Sequence, residues 1–140
     1  LLFPFAGSNL LAAKTGVSRM KPHAFDLQPR LVAFSVAVIQ LTGALPATVV
    51  GNHVRGQLLR SGTSPAPNYG EAQGAESRND FAHKLKIVLK ELRETQVWLQ
   101  VIEQAGLCES PETLLPLLRE TNELIAIFVA SLKTTLGRQG

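Results

Sequence analysis

One cysteine, Cys108, is all the chain contains, so no intrachain disulfide framework can staple it, and a reducing, cytoplasmic setting is the expectation. Aromatic residues make up only 6% of the sequence, with a single Trp and a single Tyr, although 45% of it is hydrophobic. Leu, Val, Ile and Ala therefore carry the apolar content, a composition suited to packed helices. No stretch is long and apolar enough to cross a membrane: the apolar segment from Leu31 to Leu45 is short of the roughly 20 residues a span needs, and Ser35, Gln40, Thr42 and Gly43 interrupt it. The chain also lacks a glycine-rich phosphate loop, a nucleophile elbow and a pair of carboxylates placed for acid–base work. His23, His53 and His83 have no second ligand at helical spacing and no cysteine pair to support zinc. A non-enzymatic protein with no metal or cofactor is predicted.

Its 140 residues suffice for one domain with one core. Met20 is the only methionine, and residues 1–19 read as a leader outside a domain spanning 20–140. Lys14 and Arg19 follow the apolar part of that leader instead of preceding it, which is the wrong order for a signal peptide. The charge is uneven as well. Residues 1–70 carry six basic side chains and one acidic, against eight and ten in residues 71–140.

Four helical regions follow in order. Asp26 is a candidate cap for a first helix reaching about Ala44, apolar on nearly every side, and such a helix must be covered on nearly every side. Because a helix in a four-helix domain normally keeps one face in water, its surplus apolar surface, with Leu31, Phe34, Val38 and Leu41, predicts a subunit interface and hence a homo-oligomer. A second helix over roughly 47–61 runs into Pro65 and Pro67, which lack the N–H a helix interior needs, so it should break at Gly62-Thr63 and restart at Pro65 with Ser64 as cap. Ser77 caps a third helix over about 78–105, where Phe81, Leu85, Val88, Leu92, Thr95, Leu99 and Ile102 recur at three- and four-residue steps. A fourth starts at Ser110-Pro111-Glu112, or at Thr113 if Pro116 is to fall in the first turn, and continues to Gly137. The predicted fold is all-α, an antiparallel up-down four-helix bundle with a proline-broken second helix.

Gln57-Leu58-Leu59-Arg60-Ser61, Thr63-Ser64, Asn68-Tyr69, Glu71-Ala72, Asp80-Phe81 with Lys84, and Lys90-Glu91 with Glu94-Thr95 and Trp98-Leu99 lie in this order over three helices. In these residues, the region 26–136 resembles the small four-helix-bundle proteins named after bacterial 23S ribosomal RNA intervening sequences. Ala66-Pro67 departs from the β-branched residue and alanine usual around the break. The resemblance implies a homo-oligomer, pentameric in the best-known branch. Through the related accessory variability determinant of diversity-generating retroelements, it also implies a scaffold for RNA or DNA. A protein-interaction adaptor with no nucleic-acid role is the alternative.

Two constellations stand out. Around the break, Arg60, Ser61, Thr63, Ser64, Asn68, Tyr69 and Glu71 gather polar groups that would satisfy backbone groups freed by the prolines, with Arg60 placed to pair with Glu71 across the kink. On the third helix, Lys86, Lys90 and Arg93 form a basic stripe at i, i+4 and i+7, with Lys84 beside it. Repeated by oligomer symmetry together with Arg55, the stripe would become a phosphate-binding surface. Trp98 is expected to pack and not to serve as a stacking platform.

Overall fold

In the computed structural model, residues 26–137 are described, and the expectation for residues 1–19 lies outside them. Five helices follow one another: α1 (Leu27–Thr42), α2 (Val49–Gly62), α3 (Pro65–Gln73), α4 (Arg78–Gln104) and α5 (Pro111–Gly137). The second and third are the two arms of one interrupted helix, so the architecture is an all-helical bundle of four rods. Helix α1 packs on α2, α3 and α5, and α4 packs on the same three, which sets α1 and α4 at opposite corners.

Contacts pair residues in opposite sense along neighbouring rods. Gln28 reaches Ala66, Ser35 reaches Gly62, and the carbonyl of Thr42 accepts from Arg55, so α1 runs against α2 and α3. Glu71 with Lys84, Ser61 with Thr95 and His53 with Trp98 give the same sense between the broken helix and α4. Short connections enforce this arrangement. Gly106 closes α4 at φ 64°, a left-handed conformation that favours glycine, and the chain turns directly towards α5.

The core explains the apolar character of α1. Leu31, Phe34, Val38 and Leu41, expected at a subunit interface, are buried among Leu58, Leu117, Leu124 and Phe128 within the single chain. That expectation is corrected: the bulkier face of the helix turns inward, because it buries the most apolar area per turn. Val32, Val36 and Ile39 remain exposed on the other face.

Helix ends match the capping chemistry in part, and Asp26 precedes α1 without a side-chain cap hydrogen bond. Thr48 and Ser77 accept from the N–H groups of Gly51 and Asp80, both at 3.0 Å, so α2 starts two residues later than the sequence predicts while α4 starts where predicted. Ser64 makes no side-chain cap; its backbone is already helical, and the Asn68 amide donates to both its carbonyl and its hydroxyl at 2.9 Å. Helix α5 starts at Pro111, not Thr113, and carries Pro116 in its interior. Thr113 donates to the Ser110 carbonyl instead of capping.

Candidate nucleic-acid interface

The break is held by structural bonds. Ser61 and Thr95 are wholly buried, and their hydroxyls lie 3.0 Å apart between α2 and α4. Thr63 donates to the Leu59 carbonyl, and Gln28 of α1 donates to the Ala66 carbonyl at 3.0 Å. Gly62 allows close approach: a Cβ there would stand 2.7 Å from both γ carbons of Val38. Tyr69 meets Phe128 edge to face with ring centroids 5.6 Å apart, and burial raises its phenol pKa above the ordinary value. These contacts tie the break to α1, α4 and α5, so this part of the motif is architecture.

The ion pairs differ from expectation. Arg60 reaches across to α4, 2.5 Å from Glu94 and 3.7 Å from Glu91, and does not pair with Glu71. Its hydrogen bond to Glu94 raises its pKa. Glu71 binds Lys84 at 2.8 Å, which raises the pKa of that lysine. Arg30 on α1 holds Glu120 and Glu123 of α5 with bonds of 2.8 and 2.7 Å, and its pKa rises chiefly through the bond to Glu120, a nearly buried carboxylate.

These pairings sort the candidate phosphate contacts. Arg55 donates to the carbonyl oxygens of Thr42 and Leu45 at 3.0 and 2.7 Å, closing the C-terminal end of α1, where a cation also suits the helix dipole. It is therefore not a free cation, and neither is Lys84. Lys86, Lys90 and Arg93 are exposed on one face of α4 and have no salt-bridge or side-chain hydrogen-bond partner among the described residues. The bordering Glu91 and Glu94 face Arg60, which offsets their charge beside the stripe.

Sequence reasoning missed the contact at the far end of the stripe. His53 of α2 and Trp98 of α4 meet with ring centroids 6.0 Å apart and planes at 76°. Forty-five positions separate them, and no local pattern links the two. Trp98 is half-buried against the core, as a packing role requires, while His53 is exposed. Elsewhere, a depression of about 500 Å³ lined by Ala72, Gln73, Ser77, Arg78, Phe81 and Thr135 gathers no carboxylate, histidine or cysteine. Among the described residues, no cluster of His, Cys, Asp or Glu could hold a metal ion, and no helix is long and apolar enough to cross a membrane.

Fold and surface together define an all-helical bundle whose second rod is broken and whose fourth helix displays unpaired cations. The chain belongs to the 23S rRNA-intervening sequence protein family, whose model matches residues 27–130. Among solved structures, it is similar to a protein of unknown function of the S23 ribosomal protein family from Bacteroides thetaiotaomicron VPI-5482. The two share 29% identity with a TM-score of 0.66, over 76% of this chain and 97% of that one. A search of curated proteins finds no match.

Proposed function

We propose that this protein is a non-enzymatic scaffold that binds nucleic-acid phosphates through Lys86, Lys90 and Arg93. The observation that carries the reading is the alignment of three cations: Arg30, Arg55, Arg60 and Lys84 are each engaged by carboxylates or carbonyls, while these three lie exposed and without a salt-bridge partner on one face of α4, and the exposed cations Arg119 and Lys133 lie singly on α5. Unpaired cations aligned on one helix displace the counterions condensed on nucleic-acid phosphates, and that release drives binding. Three charges in one copy give a weak site. A homo-oligomer, pentameric by the resemblance, would multiply it, and the exposed Val32, Val36 and Ile39 of α1 offer an uncharged surface through which copies could meet.

The same valine and isoleucine face supports a second reading, a protein-interaction adaptor whose lysines serve solubility alone. Binding of the full chain to a structured RNA and a duplex DNA across a salt series separates the two, with oligomeric mass measured on the same samples. Binding that weakens as salt rises and disappears in Lys86→Glu/Lys90→Glu, at unchanged mass, supports the scaffold. Absence of binding at low salt leaves the adaptor.

A further inference from the structure

The basic stripe of α4 does not end at Arg93. Val97 follows on the same face four residues later and is 54% exposed, and Val101 continues the line. Beside them Trp98 of α4 meets His53 of α2. The face thus has a cationic half, extending about 10 Å from Lys86 to Arg93, and an apolar half within one to two helical turns of it. Its cations have no partner, and the His53 ring is exposed, braced by the half-buried indole of Trp98.

We propose that this composite face takes single-stranded nucleic acid, with phosphates along Lys86, Lys90 and Arg93 and a base stacked on the imidazole of His53 above the Val97 ledge. The inference rests on the phosphate-binding reading above and adds the class of ligand. A duplex presents charged backbones and keeps its base faces covered, so the valine and histidine ledge would gain nothing from it. Single strands expose their base faces, and recognition of them combines a cationic track with aromatic rings, histidine included. Arg60 favours the same outcome, because it draws Glu91 and Glu94 towards α2 and leaves less negative charge beside the path from cations to ring.

Trp98 is the only tryptophan in the chain and touches the proposed stacking ring, so its emission reports occupancy of this end of the face. The test titrates the full chain at low salt with fluorescently labelled oligothymidylate and with a duplex of equal nucleotide count, following both label anisotropy and tryptophan emission. The single strand should bind at least about fivefold more tightly, the lower bound for one stacked base, and should change the Trp98 emission. His53→Ala should abolish that advantage and leave duplex affinity unchanged, whereas His53→Phe, which keeps a ring, should retain it. Equal or tighter duplex binding, or a single-strand affinity indifferent to His53→Ala, overturns the single-strand assignment while the phosphate reading stands, provided binding remains salt-dependent. Absence of binding by both probes overturns both.

Discussion

Two glycines in α2 allow the packing argument to be tested with one substitution made twice. Gly51 lies in the first turn, where its N–H donates to the Thr48 hydroxyl, and a Cβ built on it would stand 1.9 Å from the Pro46 carbonyl oxygen, whereas ordinary contact begins at 3.4 Å. The obstacle is backbone, and Arg55 pins the same loop through the Leu45 carbonyl, so it cannot retreat cheaply. Overpacking of this kind costs about 1–3 kcal/mol; with backbone as the obstacle, Gly51→Ala should destabilise by about 2 kcal/mol and lower Tm by roughly 6 °C. Gly56, one and a half turns on, has nothing within 4 Å of its Cβ position and is exposed. There the substitution only removes the entropic penalty of glycine in a helix interior, so Gly56→Ala should stabilise by about 1 kcal/mol. Urea denaturation followed by circular dichroism at matched protein concentration reads both values, with m unchanged if the denatured state is the same. Shifts of the same sign, or a Gly51→Ala protein as stable as the parent, would refute the placement of Pro46 against the first turn of α2.

Arg30→Ala leaves the Glu120 carboxylate, whose side chain is 8% exposed, without its bidentate partner, and should destabilise by about 2–4 kcal/mol in the same assay. Adding Glu120→Gln should recover part of that loss, and strictly additive effects of the two changes would show that the pair is not coupled. Burial raises the Tyr69 phenol pKa, so the folded state favours the neutral form; the stability this group contributes is present below its ordinary pKa of 10.0 and is lost as pH rises through the raised folded value. Absorbance titration of this single tyrosine should give a midpoint above that of free tyrosine, and Tyr69→Phe should flatten the alkaline limb of the stability profile; a midpoint at or below 10.0 would contradict the burial.

The sequence carries what depends on local order. Pro65 and Pro67 announce the break, Ser77 the start of α4, and apolar spacing in α4 names its buried face from Leu85 to Ile102, although Ala82 is buried where the spacing predicts Phe81, which is half-buried. Helix α1 shows where that reasoning stops. From Leu31 onward its residues are uncharged on every side, so periodicity contains two apolar faces, Leu31-Phe34-Val38-Leu41 and Val32-Val36-Ile39, and nothing in hydropathy ranks them. Side-chain volume does. Leucine and phenylalanine fill the space between rods that the smaller valines would leave as voids, and the packing of Val38 against the bare backbone of Gly62 fixes the rotation.

Charge was less legible than hydropathy for a related reason. Within one helix a pairing can be read from i, i+4 spacing, but the pairs that matter here join different rods: Arg30 with Glu120, Arg60 with Glu94, and Lys84 with Glu71. Local reasoning joined Arg60 to Glu71 because both flank the break. The bundle instead sends each to a different turn of α4, since the antiparallel pairing sets Arg60 opposite Glu94 and Glu71 opposite Lys84. The same geometry separates cations that hold the bundle together from cations left free. Arg55 and Lys84 had the same standing as Lys86 in the sequence, and only the opposing rod or the adjoining loop shows that they are occupied. A free cation in a paired bundle is thus a property of tertiary register, and in this chain the register leaves Lys86, Lys90 and Arg93 unpaired on a single face of α4.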